Sequence, residues 1–508
     1  MNNSSRIIIN TGAQYARSLI NLVLSLYSTR LILHALGIDD YGIFTLIAGV
    51  VAMLAFMTNA MVTTTQRFMS YHQTKSTVEE QKKIFGCSVL MHIIFGIIII
   101  ILLEIVGTFL FDGFLNISSD RISAAKIVYQ CAIVMIILSF ISAPFKALLI
   151  SYENIVYVSI IDVLDGVLKV VIAFILLNIN QDKLILYGYL MVLIYLSDLF
   201  AFMIYDFRNY KTCVIPKLAY LNKGYIKSMG SFVVWQLYST GCVIGRTQGV
   251  ALVLNRFYGT VVNASFGIAL QVSGAINFIS SALVTAINPQ IIKAEGSGNR
   301  AKMFRLAEVA SKFSFLLLDM VVMPLLFCLP TILKFWLGEV PEDAVLFCRV
   351  ILITGLVDQI TYGLITTNQA IGNIRPYTLT VNTIKVLTVF ALWALLILGV
   401  PIESAIWVYA VFELICALTR LPFMKYTGGL NIGQFIRNVF LKLTIPSFFL
   451  IAAYYGLHLY THSFLIYVIG IIMITPIYFY FIFKFSLNNL EREIVKGMVV
   501  NLRNKIKR

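Results

Sequence analysis

Apolar stretches long enough to cross a lipid bilayer recur about fourteen times along this chain. They are continuous rather than alternating, which favours helices over the strands of a membrane barrel. Hydrophobic residues fill 59% of the 508 positions and charged residues 12%, whereas a soluble domain carries about 25% charged residues. Because backbone groups in hydrocarbon must pair within a helix or a closed barrel, the pattern predicts an all-α integral membrane protein.

The predicted spans leave one long polar loop, at residues 206–229. The spans cover residues 11–34, 41–66, 84–111, 121–149, 155–178, 183–205, 229–255, 259–288, 303–329, 344–370, 376–400, 402–424, 436–458 and 463–485. We expect two pseudo-symmetric six-helix lobes, at 1–228 and 229–430, a common plan in transporters. Two extra helices and a basic tail follow at 431–508.

A similarity between two segments of the sequence, one in each predicted lobe, supports this repeat. Gly37 follows an aliphatic helix end and precedes the pair Tyr41-Gly42, and Gly259 stands in the same way before Phe266-Gly267. Glycine is common where a helix ends, so we expect a turn at both positions.

The basic residues predict the topology. With the N-terminus in the cytoplasm, about 27 of the 39 Lys and Arg residues fall on inner loops or the tail, and about seven fall outside. Both termini are therefore predicted to be cytoplasmic. The first apolar stretch contains Gln14, Arg17 and Asn21 and has no small-residue cleavage site, so we expect it to be retained as a span. The net charge of +15 lies mainly in these loops, which argues against nucleic-acid binding.

Several charged residues fall inside predicted spans, where each costs several kcal/mol unless it faces water or a partner. Arg17 has no acid near it in sequence and lies in a polar stripe on the first span. Asp165 and Lys169 are four residues apart on one helix, so they form either a structural pair or a substrate contact. Lys312 and Asp319 are expected to be structural.

The candidate site is therefore a polar cavity. The cations expected to contact substrate are Arg17, Arg246, Lys385 and Lys169. The uncharged residues expected to line the cavity are Gln14, Asn21, Asn59, Gln66, Gln236 and Gln271. The acids that are candidates for ion coupling are Asp198, Asp319 and Asp358. Unpaired cations favour a cargo with concentrated negative charge, such as a diphosphate, although any acidic small molecule fits this argument.

Signatures of enzymes and metal sites are not found in the sequence. The seven cysteines form no CxxC pair. The run Gly296–Arg300 lacks the Gly-Lys-Ser/Thr ending of a P-loop. We therefore expect a non-enzyme without metal or cofactor.

At three segments the chain resembles polysaccharide flippases of the Wzx type, in the superfamily that also holds the multidrug and toxin extrusion (MATE) antiporters and the lipid II flippases. The segments are YSTRLILHALGIDDYGIFTLIAGVV (27–51), TTTQRFMSYH (63–72) and INPQIIKAEGSG (287–298). The span count and the basic loop after span six also fit. Unlike many MATE exporters, which bend their first span at a proline, the chain has no proline in this span.

The resemblance implies a multi-pass protein of the bacterial inner membrane. It would move an undecaprenyl-diphosphate-linked oligosaccharide to the periplasmic leaflet, by alternating access of two lobes, for O-antigen, capsule or exopolysaccharide synthesis. Arg17 and Arg246 would match the cationic cavity of the family, and spans thirteen and fourteen would flank the lipid tail. Membrane lipid and the polymerase and chain-length proteins of the pathway would be its partners, with the chain itself a monomer.

Two other functions remain open at this stage. A cation-coupled multidrug exporter of the same fold predicts an acid-dominated binding lobe. A membrane polysaccharide polymerase or ligase predicts a large outer loop with catalytic Arg or His, and the longest predicted outer loop is only about 15 residues, too short for a soluble catalytic domain.

Overall fold

The protein is helical throughout the part that its structure describes. The computed structural model describes residues 3–52, 55–111, 119–179, 181–217, 220–337, 340–460, 464–488 and 491–493. No β-strand occurs in these ranges, so the all-α prediction is confirmed.

Seventeen α-helices follow one another in these ranges. They are α1 Asn3–Ala52, α2 Ala55–Lys75, α3 Val78–Phe109, α4 Ile122–Ser151, α5 Ile155–Leu177, α6 Lys183–Asn209, α7 Lys223–Gly296, α8 Arg300–Leu337, α9 Ala344–Gln359, α10 Tyr362–Ile371, α11 Ile374–Tyr377, α12 Thr383–Ile397, α13 Ile402–Ala405, α14 Val408–Gly428, α15 Ile432–Phe435, α16 Leu441–Tyr460 and α17 Phe464–Phe481. Single π-helical turns at Thr378–Asn382, Ile436–Phe440 and Ile482–Ser486 join or end some of them.

Length and composition alone allow eight of the described helices to cross a membrane, or up to ten spans if each of two bent pairs counts as one. Helix α5 is long enough, but it carries Asp162, Asp165 and Lys169, and three charges within one span are costly unless they are paired. The count of fourteen spans stays a prediction.

Of the two turns predicted from the internal sequence similarity, at Gly37 and Gly259, the structure contains one. Gly37 interrupts α1 with φ 79° and ψ 170°, a conformation that glycine adopts readily because it has no Cβ. Helix α7, in contrast, is assigned through Gly259, and it bends by 52° between Asn277 and Ser280. The turn predicted at Gly259 is therefore not seen, because glycine permits a break without imposing one while a continuing helix keeps its backbone groups paired.

The chain divides into two compact units. We call Ile8–Thr240 with Ile292–Gly298 the N-unit, and Met1–Ile7, Gly241–Ile291 and Asn299–Arg508 the C-unit. In the N-unit, α4 packs against α2, α3 and α6. Gly188 of α6 lies so close to α4 that an added Cβ would meet Cys131 Sγ at 3.3 Å, so the small residue permits tight packing of these two helices.

In the C-unit, the helices α16 and α17 pack against α8. Lys312 Nζ of α8 donates to Glu491 Oε1 at 2.8 Å and to the Ser486 carbonyl at 3.1 Å. Asp319 Oδ2 accepts from Ser447 Oγ at 2.8 Å and from Tyr478 Oη at 3.2 Å. Lys312 and Asp319 of α8 thus bind residues on or just after the last two long helices, as expected if they have a structural role.

Candidate functional site

One group of charged residues lies in the N-unit, on α1, α4, α5 and α6. Arg17 Nη1 of α1 donates to Asp162 Oδ2 of α5. Lys146 Nζ of α4 donates to Asp162 Oδ1 at 3.1 Å, and Asn21 Nδ2 donates to the Asp162 carbonyl at 3.2 Å. The expectation that Arg17 is unpaired is therefore wrong, because its acid is 145 positions away in sequence and the fold brings it near.

The same group continues one turn further along α5. Lys169 Nζ donates to Asp165 Oδ2 at 3.0 Å, which is the pair that the four-residue spacing predicts. Asp198 of α6 has no ion pair among the described residues. We call Arg17, Lys146, Asp162, Asp165, Lys169 and Asp198 the N-cluster. It contains three cations and three acids, so its formal charge is zero.

Close packing of α1 on α5 holds this geometry. A Cβ on Gly166 of α5 would meet Leu24 Cδ1 at 3.0 Å and Asn21 Oδ1 at 3.1 Å. The glycine thus lets α5 approach the polar stripe of α1 closely enough for Asp162 to reach Arg17. The side chains of Arg17 and Asp162 nevertheless remain 28% and 21% exposed.

A second group lies in the C-unit, where Glu413 of α14 contacts three cations. Its Oε2 accepts from Arg246 Nη1 at 2.6 Å, and its Oε1 lies 3.0 Å from Lys385 Nζ and 3.3 Å from Arg420 Nη2. Asp358 Oδ1 accepts from Arg420 Nη2 at 2.7 Å and lies 3.7 Å from Lys385 Nζ. We call Arg246, Asp358, Lys385, Glu413 and Arg420 the C-cluster.

The C-cluster is more deeply buried than the N-cluster. Glu413 and Arg420 are each 1% exposed at the side chain, whereas Asp358 is 22% exposed. The guanidinium of Arg246 lies 4.3 Å from the ring centroid of Tyr409, close enough for a cation–π contact. The Nε atoms of Arg246 and Arg420 are buried without a hydrogen-bond acceptor among the described residues.

The C-cluster has an excess of positive charge. Arg246 and Lys385 were expected to be unpaired, and this is wrong, since both contact Glu413. Three cations nevertheless share two carboxylates, which leaves a formal charge of +1. Charge in a span is costly unless it is compensated, so a bound anion would stabilise this cluster.

Close packing also places the C-cluster cations. A Cβ on Gly249 of α7 would meet Val389 Cγ2 of α12 at 2.7 Å, so α7 and α12 approach tightly at this level. Arg246 lies about one turn before Gly249, and Lys385 about one turn before Val389. The two cations are thereby brought to the same carboxylate of α14.

The six uncharged candidates have different environments. Gln14 is buried and its Oε1 has no partner among the described residues. Asn21 contacts the N-cluster, as described above. Gln66 and Gln236 are half-buried, and Asn59 and Gln271 are exposed. Their role in lining a cavity stays a prediction, as does ion coupling at Asp198, Asp319 and Asp358.

The sequence interpretation missed two members of these clusters. It counted Lys146 and Arg420, near the inner ends of spans 121–149 and 402–424, with the inner-loop cations, but they lie within α4 and α14. Arg420 follows Glu413 by seven positions on the same helix, which places both on one face. That spacing was a usable signal. For Lys146, the partner on α5 depends on tertiary packing alone.

The described residues provide no evident metal site, because no group of three or more His, Cys, Asp or Glu side chains within them is arranged to hold an ion. The C-unit contains an apolar cavity of about 520 Å³ between α8 and the end of α17. It is lined by residues that include Phe313, Leu317, Met320, Phe479 and Phe483.

Comparison with solved structures identifies the fold. ClbM, a MATE transporter solved with Rb⁺, superposes with a TM-score of 0.73 at 14% identity, over 85% of this chain and 96% of that one. A MATE protein in a bent conformation gives 0.72 at 11% identity, over 86% and 96%. A MOP-superfamily transporter from Pyrococcus furiosus, described as having a binding pocket of reversed polarity, gives 0.68 at 13% identity, over 86% and 97%.

No protein-family model and no curated protein matches the sequence. The low identities to the solved structures establish the fold alone. The chain therefore has the MATE fold, and its cargo has to be argued from its own side chains.

Proposed function

We propose, from the MATE fold and the positive excess of the C-cluster, that this protein is an alternating-access membrane transporter for an anionic lipid-linked sugar. Its cargo would be an undecaprenyl-diphosphate-linked oligosaccharide, moved from the cytoplasmic to the periplasmic leaflet of the bacterial inner membrane. The observation that carries this proposal is the set of three buried cations that share two carboxylates at Arg246, Lys385 and Arg420.

A diphosphate suits this cluster chemically. Arg and Lys bind phosphate oxygens through charge-assisted hydrogen bonds, and the unsatisfied Nε of Arg246 is a donor already held in place. Asp358 is the most exposed carboxylate of the cluster at 22%. An entering phosphate would share the cations with Asp358 first, and Glu413 would keep the buried ends of the arginines compensated.

Residues outside the cations of the C-cluster would serve ion coupling and hold the lipid tail. Asp198 is the best-placed candidate for ion coupling, because the other two acids of the N-cluster are ion-paired. Asp358 and Asp319 are weaker candidates, since both already accept hydrogen bonds. The prenyl tail would lie in lipid against α16 and α17, where the apolar cavity offers matching surface. The transported sugar would pass to polymerase and chain-length proteins.

A multidrug exporter of the same fold is the second candidate. It is favoured by the MATE neighbours and by three acids in the N-cluster, two of them more than one-fifth exposed at the side chain. A cationic drug would need those acids, whereas the anionic cargo needs the C-cluster cations.

The test is Arg246→Gln in cells that depend on this chain for surface polysaccharide. The substitution brings the C-cluster to two cations and two acids, so we expect normal protein levels and at least a tenfold loss of surface polysaccharide. Lys334→Gln is the control, since it removes one positive charge at an exposed position. Normal polysaccharide in Arg246→Gln, together with drug resistance that is lost in Asp198→Asn, would support the exporter instead.

A further inference from the structure

Two of the sequence segments that carry the family resemblance meet in the N-unit. They are the end of α2, within 63–72, and the end of α7, within 287–298. The last seven residues of this second segment, Ile292–Gly298, pack in the N-unit, although the chain before and after them belongs to the C-unit. Neither proposed cluster uses these residues.

A glycine notch forms the first contact of Ile292–Gly298. An added Cβ on Gly296 would lie 2.2 Å from the Tyr71 carbonyl oxygen and 2.7 Å from Thr74 Oγ1. No side chain fits there, because real Cβ atoms do not approach other atoms so closely. Thr74 Oγ1 also donates to the Lys293 carbonyl at 3.2 Å. The backbone of α7 therefore lies directly on the end of α2.

An ion pair forms the second contact. Lys293 Nζ donates to Glu153 Oε1 at 2.7 Å. Glu153 lies in the turn between α4 and α5, with φ 62°, which non-glycine residues rarely adopt. Its carbonyl accepts from Asn10 Nδ2 at 2.9 Å. The acid is thus held in one position to receive the lysine.

The segment is buried but short. Ile292 and Ala294 are each 3% exposed. Helix α7 ends at Gly296 with Ser297 as its C-cap, and Gly298, with φ 75°, turns the chain toward α8 at Arg300. The docking contacts include an ion pair, a side-chain hydrogen bond and a notch without an interlocking side chain. Such a set holds a segment in place and still permits it to separate as a unit.

We infer that Ile292–Gly298 is a reversible clasp, docked on Tyr71, Thr74 and Glu153 in one state of the transport cycle and released in the other. This inference rests on the proposed transport function. By the predicted topology, the clasp lies at the cytoplasmic ends of spans two, four and eight, where cargo enters. Docking and release would therefore take place on the side where cargo enters.

The test measures the accessibility of Ala294→Cys to a membrane-impermeant maleimide in inside-out membrane vesicles. The seven native cysteines are buried, so the parent protein gives the background. Lys293→Glu places two acids opposite each other and should raise the labelling rate about tenfold, which corresponds to about 1.4 kcal/mol toward the released state. Lys302→Glu, at an exposed site in the first turn of α8, should leave the rate unchanged.

A charge exchange separates a specific contact from general damage. Glu153→Lys alone should raise labelling as Lys293→Glu does, and the two together should return it to the level of the Ala294→Cys protein. If the exchange does not lower labelling below that of the single variants, or if neither single variant raises it, the clasp is refuted.

A matched pair of glycine-to-alanine variants tests the glycine notch. Gly296→Ala should also raise labelling of the introduced cysteine, because its methyl group cannot enter the space beside Tyr71. Gly456→Ala in α16, where nothing lies within 4 Å of the added carbon, should not. Equal labelling in these two variants would contradict the clasp. Labelling needs no cargo, so these results stand even if surface polysaccharide shows that the proposed cargo is wrong.

Discussion

Both charged clusters combine Arg and Lys with carboxylates, but they differ in burial and in the balance of charge. The N-cluster has equal numbers of cations and acids, and its pairs are about one-fifth to one-third exposed. The C-cluster has three cations for two acids, and Glu413 and Arg420 are almost completely buried. A balanced and partly exposed cluster tolerates the loss of one charge, whereas a buried and unbalanced one depends on every carboxylate that it has.

Of the variants that test this contrast, Glu413→Gln should destabilise the protein most. It leaves Arg246, Lys385 and Arg420 with Asp358 alone, and removing one partner of a buried ion pair costs about 3–5 kcal/mol. We expect a strong drop in the thermal unfolding temperature of the purified protein. The conservative variant Glu413→Asp keeps the charge, so its unfolding temperature should drop less than that of Glu413→Gln. An unfolding temperature equal to that of the parent would show that the C-cluster is not held by this carboxylate.

Asp162→Asn is the corresponding change in the N-cluster and should cost less. Because its partners Arg17 and Lys146 are partly exposed, we expect a loss of only about 1 kcal/mol. The difference between variant and parent should shrink in high salt, which screens partly exposed pairs. The same salt titration on Glu413→Gln should change little. A loss for Asp162→Asn as large as that for Glu413→Gln would remove the contrast.

Acid titration can sharpen the comparison once His72 is accounted for. His72 lies in the N-unit outside the predicted spans, and its Nδ1 is 2.6 Å from Ser76 Oγ. Burial, together with the nearby positive charges of Arg67 and Lys75, lowers the pKa of His72 to about 4, and Glu80 opposes this shift. The unfolded chain therefore binds a proton more readily than the folded protein between about pH 6.5 and pH 4.

Stability from this group is complete above about pH 6.5 and is lost as the pH falls toward about 4. We expect a loss of about 1 kcal/mol by about pH 5, after allowing for the partial exposure of the ring. His72→Gln should remove that part of the slope, as measured by thermal unfolding at about pH 7.5 and about pH 5. An unchanged slope would show that His72 is not the group responsible, and any remaining difference between the clusters would then belong to their own acids.

Patterns that are local in sequence predicted the structure well. Continuous apolar runs predicted the helices, and the Asp165–Lys169 spacing predicted an ion pair that the fold contains. Gly37 breaks α1 where a turn was expected. In each case the physical cause lies within one helical turn or one short loop, so a single stretch of sequence contains it.

Partners that are distant in sequence were not predicted. Arg17 meets Asp162 and Arg246 meets Glu413 only after helices have packed, and no periodicity within one helix encodes that packing. Arg420 was misplaced because a basic residue near the end of an apolar run looks the same as a loop residue. Its side chain is only 1% exposed, and its charge is compensated there by Asp358, which lies on another helix.

The contact of Lys312 with Glu491 has a consequence for how the end of this chain should be handled. A protein shortened at residue 486, directly after the last π-helical turn, would keep every predicted span and still strip a lysine inside α8 of its only carboxylate partner among the described residues. Glu491, just past the final helix, therefore compensates the charge of a buried lysine in α8. Reporter fusions belong beyond Glu491, and trimming it away should fail for electrostatic reasons before any cargo is involved.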